Sequence, residues 1–276
     1  MPEFIRLNDL DDPRVAAYRD VADALVLEAR RLFVAEGRLV VRRLLARGGY
    51  RVQSLLLTDA ARTGLGDVVD ATSAGLPIYL VSSDAMRAIT GFNLHRGCLA
   101  LVERPAVLPL GALLHQVRRA GRLVVLEEVA NADNVGSVFR NAAAFSAAGV
   151  LLSPGCCDPL YRKAIRTSMG AALGVPFARV AEWPDGLAAV RAAGFALVAL
   201  TPAADARDIG AFARDPRRPS RVALLVGTEG AGVSPAAYAA ADVRVRIPMA
   251  AGVDSLNLAT ATGIALQRLY ETQAVE

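Results

Sequence analysis

Between residues 32 and 104, short apolar runs alternate with stretches in which apolar and charged positions recur at helical spacing: LFVAEG, GRLVVRRLLARG, VQSLLLT, PIYLVS, SDAMRAIT and CLALVER. Runs of aliphatic and β-branched residues predict strands, and apolar stripes every three to four residues predict helices. This part therefore predicts a small α/β domain. In GRLVVRRLLARG the stripe is Leu39, Val40, Leu44 and Leu45, which leaves Arg38, Arg42 and Arg43 largely outward. Pro105 and Pro109 then interrupt the alternation, as prolines in a linker do, and put a boundary near 105 to 110. Beyond it come LVVLEEV (123–129), GVLLS (149–153), VPFARV (175–180), ALVALT (196–201), VALLVG (222–227) and VRVRIP (243–248). Continuously apolar strands separated by helix-length segments predict a parallel sheet covered on both faces. Ligands of such sheets sit at the carboxyl ends of the strands. The expected division is an N-terminal domain over 1–106, with a structured core about 14–104, and a catalytic domain over 107–276.

Composition narrows the class. Hydrophobic residues are 54% of the chain and the mean hydropathy is +0.35, but charges interrupt every run and none reaches the roughly 18 residues of a spanning helix. The first residues, MPEFIRLNDLDDPR, carry acids where a secretory signal carries a basic flank and an apolar stretch, so a cytoplasmic protein is expected. Cys98, Cys156 and Cys157, with only His95 and His115 as histidines, fit neither a disulfide framework nor zinc-ligand spacing. No metal is expected. The net charge of +4 permits an acidic partner. Seven arginines (30, 31, 38, 42, 43, 47, 51) against two glutamates (28, 36) concentrate that charge in one segment, which reads as a nucleic-acid face or as a solvated helix face.

Three stretches carry candidate chemistry. In NADNVGSVFRNAAAF (131–145) Asn134 suits a helix cap, and Gly136 lies one turn before Arg140. Helical side chains lean toward the N-terminus, so Arg140 is expected to pass over Gly136 toward the helix start, where free N–H groups attract anions. A plain cap and a solvated arginine fit the same residues. In VGTEGAGVS (226–234) three glycines allow positive φ and close approach to a ligand. The loop lacks both the Walker Gly-Lys-Ser/Thr and the dinucleotide spacing, which argues against an NTPase or a nicotinamide oxidoreductase. Glu229 within it suits a cationic or hydroxyl-bearing ligand, although a structural turn is the competing account. In IPMAAGVDSLNLATATGIALQRL (247–269), Asp254 or Ser255 is the expected cap of a terminal helix whose stripe is Leu258, Ala261, Ala265, Leu266 and Leu269. Ser255 and Asn257 flank Leu256 near Met249, a mixture that can grip a flat base.

Together these stretches resemble the signature motifs of the SpoU/TrmH family of RNA 2'-O-ribose methyltransferases. Asn134, Gly136 and Arg140 resemble the first motif, Gly227, Glu229, Gly230 and Gly232 the second, and Ile247, Pro248 and Met249 with Ser255, Leu256 and Asn257 the third. Ala164, Ser168, Gly170 and Ala171 are similar to an intermediate segment. Asn131-Ala132-Asp133 stands where many members have a proline before the asparagine. The likeness spans about residues 123–270. The N-terminal part resembles, through residues 33–37 and 94–97, the family's ribosomal-protein-like substrate-binding domain.

The resemblance implies a catalytic domain ending in a trefoil knot, with the third motif threaded through an earlier loop, and a homodimer. It implies S-adenosylmethionine held by Thr201, Gly227, Glu229, Gly232, Ile247, Met249 and Leu256. It makes Arg140, Asn134, Glu229, Ser255 and Asn257 the catalytic set, and it makes Arg38, Arg42, Arg43, His95 and Arg96 the RNA contacts. A charged guanidinium has no acceptor, so Arg140 is expected to orient the ribose rather than to take its proton. The extra domain leans to ribosomal RNA over transfer RNA. A transfer-RNA enzyme and a non-catalytic RNA-binding protein on the same fold are the alternatives.

Overall fold

A computed structural model describes residues 3–19, 24–72, 75–91, 97–117 and 121–271. The chain divides into two compact units, Met1–Ala106 with Leu160–Leu173, and Val107–Pro159 with Gly174–Glu276.

The first unit carries strands β1 (Glu3–Arg6), β2 (Leu32–Glu36), β3 (Val52–Leu57), β4 (Pro77–Leu80) and β5 (Cys98–Glu103) in the order β1-β4-β3-β5-β2. β1, β4 and β3 run parallel, and β5 is antiparallel to both β3 and β2. Its helices are α1 (Ala16–Arg19), α2 (Ala24–Ala29), α3 (Arg38–Arg47), α4 (Asp59–Asp70) and α5 (Ser83–Thr90). Strand β1 lies ahead of the expected core, because the four residues EFIR are too short to show a pattern; only pairing with β4, from Glu3 opposite Pro77 onward, defines it. In α3 the buried stripe is Val40, Val41 and Leu44, one position from the expected one, and Leu39 and Leu45 are half-buried.

In the second unit, seven parallel strands follow the order β10-β12-β9-β11-β6-β7-β8. They are β6 (Gly121–Leu126), β7 (Gly149–Leu152), β8 (Phe177–Arg179), β9 (Ala196–Leu200), β10 (Arg207–Asp208), β11 (Arg221–Val226) and β12 (Val243–Arg246). All six strands expected from the sequence are present, and the two-residue β10 is the addition. Leu123 to Leu126 and Val222 to Leu225 have no exposed surface, as expected for central strands buried on both faces. Each such Leu or Val contributes about 1.5–3 kcal/mol by burial. The helices are α6 (Leu110–Gln116), α7 (Ala132–Ala144), α8 (Arg162–Thr167), α9 (Leu187–Ala192), α10 (Ile209–Arg214), α11 (Pro235–Ala239) and α12 (Leu258–Glu271), of which α8 packs in the first unit. The expected division puts Leu160–Leu173 in the catalytic domain, whereas the compact units group these residues with Met1–Ala106. Arg162 pairs with a little-exposed Glu36, which Arg166 joins at 3.4 Å, while Arg43 donates to the Met169 carbonyl at 2.6 Å. No helix among the described residues is long and apolar enough to cross a membrane.

Candidate active site

The site is built from three connections at the carboxyl ends of the second unit's strands. Asn131, rather than Asn134, caps α7, since its side chain accepts from the Asp133 N–H at 2.8 Å. Asn134 therefore sits inside the first turn, 6% exposed, and points elsewhere. The cap of α12 also differs from expectation. Neither Asp254 nor Ser255 serves; the Asn257 Oδ1 accepts from the N–H groups of Ala259 and Thr260 at 3.0 and 3.2 Å. A cap must lie immediately before the first helical turn, and the helix starts at Leu258.

That cap fixes which way the Asn257 amide faces. Its Nδ2 donates to Asn134 Oδ1 at 3.2 Å and to Glu229 Oε1 at 3.0 Å. One side chain, with both donors and its acceptor used, thus joins the residues from all three stretches. Asn141 adds a second tie between α7 and α12, donating to the Ala259 carbonyl at 2.7 Å.

The glycine loop after β11 folds back on itself through the Thr228–Gly232 bridge. Gly230 and Gly232 have φ of +83° and +70°, which side chains rarely adopt. Gly227 serves a different purpose: a Cβ there would lie 2.0 Å from the carbonyl of Gly232, so the turn closes only without one.

Between this loop, the end of β9 and the residues after β12 lies a cavity of about 350 Å³. Thr201, Gly227, Glu229, Gly232, Ile247, Met249 and Leu256 all line it, with Ser255 and Asn257. Leu200, Pro202, Leu258 and Ala261 line it as well and were missed. Leu200 and Pro202 flank Thr201 at a strand's carboxyl end, a position that was signal enough; the lining by Leu258 and Ala261 was hidden because helix burial already explained them. Among the described residues no lysine or arginine lines this cavity. Arg140 is not in its lining; it is exposed, and its side chain makes no hydrogen bond or ion pair among the described residues.

The candidate RNA contacts are dispersed in their uses. Arg38 is exposed, with its side chain laid against Gly64 of α4. Arg42 is paired with Asp67 and donates to the Gly64 carbonyl at 3.0 Å, and that carboxylate raises its pKa. Arg43 is exposed but bound to the Met169 carbonyl. His95 and Arg96 lie outside the described residues. Among the described residues no group of three His, Cys, Asp or Glu could hold a metal ion.

With this geometry in hand, residues 121–267 match the family model described as the SpoU rRNA methylase family. A Mycobacterium tuberculosis protein named as an uncharacterized tRNA/rRNA methyltransferase is 43% identical over 93% of this chain and 88% of its own length. A Burkholderia protein named 23S rRNA (guanosine-2'-O-)-methyltransferase is 30% identical over 71% of this chain and 78% of its own. The crystal structure of a Sinorhizobium meliloti rRNA methyltransferase with bound AdoMet superposes with a TM-score of 0.80 at 27% identity, covering 97% of this chain and 98% of that one.

Proposed function

The chain belongs to the SpoU rRNA methylase family, and on that premise we propose that it transfers a methyl group from S-adenosylmethionine to the 2'-hydroxyl of a ribose in structured RNA. The observation that carries the reading is the Asn257 amide, which ties Asn134 and Glu229 together at the mouth of a cavity lined by all seven expected cofactor contacts.

The cavity suits the methyl donor. Its volume of about 350 Å³ falls in the range of small-molecule sites, roughly 300–1,000 Å³. Leu200, Ile247, Met249 and Leu256 offer apolar faces to a flat base, while Glu229 offers a carboxylate. A lining that, among the described residues, holds an acid and no basic side chain favours a cationic sulfonium over a phosphate-rich cofactor, which also weighs against a nicotinamide oxidoreductase. When bound, S-adenosylmethionine supplies a methyl group on a cationic sulfur that leaves as a neutral thioether. What the chain contributes is positioning, which can lower a barrier by several kcal/mol. Arg140, uncommitted within the described chain, orients the ribose and its phosphate. Asn134, Glu229, Ser255 and Asn257 hold the loops around them. The hydroxyl proton leaves by way of a phosphate oxygen or solvent, since a charged guanidinium cannot accept it.

The finer parts of the reading follow the family likeness. The chain end forms a trefoil knot, two copies make a cytoplasmic homodimer, and the first unit is a ribosomal-protein-like domain that contacts RNA through Arg38, Arg42, Arg43, His95 and Arg96. Arg38 and Arg43 are the better candidates, because Asp67 already neutralises Arg42. Ribosomal RNA is favoured by the Burkholderia relative's name, and transfer RNA stays as the second reading because the M. tuberculosis relative's name covers both. The deciding experiment supplies methyl-labelled donor with either RNA pool and identifies the nucleoside by mass spectrometry. A 2'-O-methylated nucleoside from ribosomal RNA is expected. Label in neither pool would overturn the enzyme reading in favour of a non-catalytic RNA-binding protein.

A further inference from the structure

Both ends of the glycine loop are held by one residue outside the three motifs. Glu127 follows β6 and is 2% exposed. Its backbone N–H donates to the Val226 carbonyl at 2.9 Å, where the loop begins. At the loop's other end the Glu127 Oε2 accepts from the Ser234 N–H at 2.8 Å, and Oε1 accepts from the Ser234 hydroxyl at 2.6 Å. A third donor, the Trp183 indole N–H, reaches the same Oε1 at 2.6 Å. Ser234 Oγ in turn accepts from the Ala237 N–H at 3.2 Å and caps α11. Residues 227–233 are thus suspended between two attachments to a single glutamate.

The chemistry of this node requires a carboxylate. Three donors converge on two oxygens, and no lysine or arginine pairs with the group among the described residues. An unpaired buried charge is unfavourable unless hydrogen bonds satisfy it, and here three do. An amide of the same shape would present an NH2 to at least one of those donors. Trp183 and Val233 also pack on the same apolar cluster, and the indole is bonded directly to the carboxylate that anchors the loop.

We propose that Glu127 is a positioning residue for the methyl donor: acting through Ser234, it sets the glycine loop at the spacing the cofactor needs, and Trp183, the chain's single tryptophan, reports that state. This rests on the proposed function above. Glu127 does not line the cavity, so its effect falls on donor binding rather than on the chemical step.

The test is Glu127→Gln in the full-length protein. Calorimetry with S-adenosylmethionine is expected to give a Kd at least about tenfold weaker, which corresponds to about 1.4 kcal/mol. Methyl transfer at saturating donor stays within about threefold of wild type, so KM moves and kcat does not. Trp183 emission responds to the donor in wild type and loses that response in the variant. Without any donor, hydrogen exchange at the Ser234 amide speeds up at least about tenfold. Donor affinity equal to wild type, or unchanged Ser234 exchange, overturns the proposal. A wild-type protein that binds no donor overturns the functional reading instead, while Ser234 exchange still decides whether Glu127 fixes the loop. Should the glutamine variant not fold, Ser234→Ala removes one of the three bonds and is expected to weaken donor binding about threefold; wild-type affinity there also refutes the inference.

Discussion

Replacing Asn257 by aspartate separates the two halves of the amide at the centre of the site. The carboxylate keeps an oxygen for the N–H groups of Ala259 and Thr260, now 3.0 and 3.2 Å away, so the cap of α12 survives. The donor half is lost. An anion replaces the NH2 that reaches Asn134 Oδ1 at 3.2 Å and Glu229 Oε1 at 3.0 Å. A hydrogen bond to a charged acceptor is worth about 1.5 kcal/mol at the low end and a neutral one about 0.5 kcal/mol, and the low ends apply because Asn257 and Glu229 are exposed. Two like charges at this separation in water-like surroundings add about 1 kcal/mol of repulsion. The closed arrangement of the three loops thus loses about 3 kcal/mol, or about a hundredfold in kcat/KM. Melting temperature should change little, because the helix cap remains. Initial rates with labelled donor, set beside a thermal melt, check both statements. A variant with kcat/KM within threefold of wild type would falsify the idea that this amide holds the site together.

Arg140→Ala is expected to lower methyl transfer at least about a hundredfold while calorimetry finds donor binding unchanged; near-wild-type turnover excludes its role at the ribose. Gly227→Ala should abolish measurable donor binding, because its Cβ meets the Gly232 backbone at 2.0 Å. Gly230→Ala should do less harm: it meets nothing within 4 Å and suffers only its φ of +83°, a strain of about 1–2 kcal/mol. The reverse order in a binding titration would refute the loop geometry. Burial pushes the Cys98 thiol up to about 12, so Ellman's reagent near neutral pH should modify Cys98 only when the protein unfolds, and labelling of Cys98 in the native protein would contradict its placement.

Where a property depends on neighbours in the chain, the sequence was enough. Apolar runs such as VALLV and LVVL identify strands because burial on both faces demands unbroken hydrophobicity, and Gly230 and Gly232 mark a tight loop because only glycine takes their positive φ cheaply. Local rules failed where two candidates competed within one stretch. Asn131 and Asn134 both suit a cap, as do Asp254, Ser255 and Asn257, and what settles each choice is which backbone turn closes first. Partnership across the chain lay beyond reach. Asn257 meets Asn134 from 123 positions away and Glu229 from 28, Glu127 meets Ser234 across 107, and Glu36 meets Arg162 across 126. No periodicity encodes such pairs, since they depend on the order in which parallel strands sit in the sheet. The chain alone therefore determined the elements and the residue types available for chemistry. The tertiary structure decided which of those residues face one another, because hydrogen bonds and excluded volume act over ångströms of space rather than along the chain.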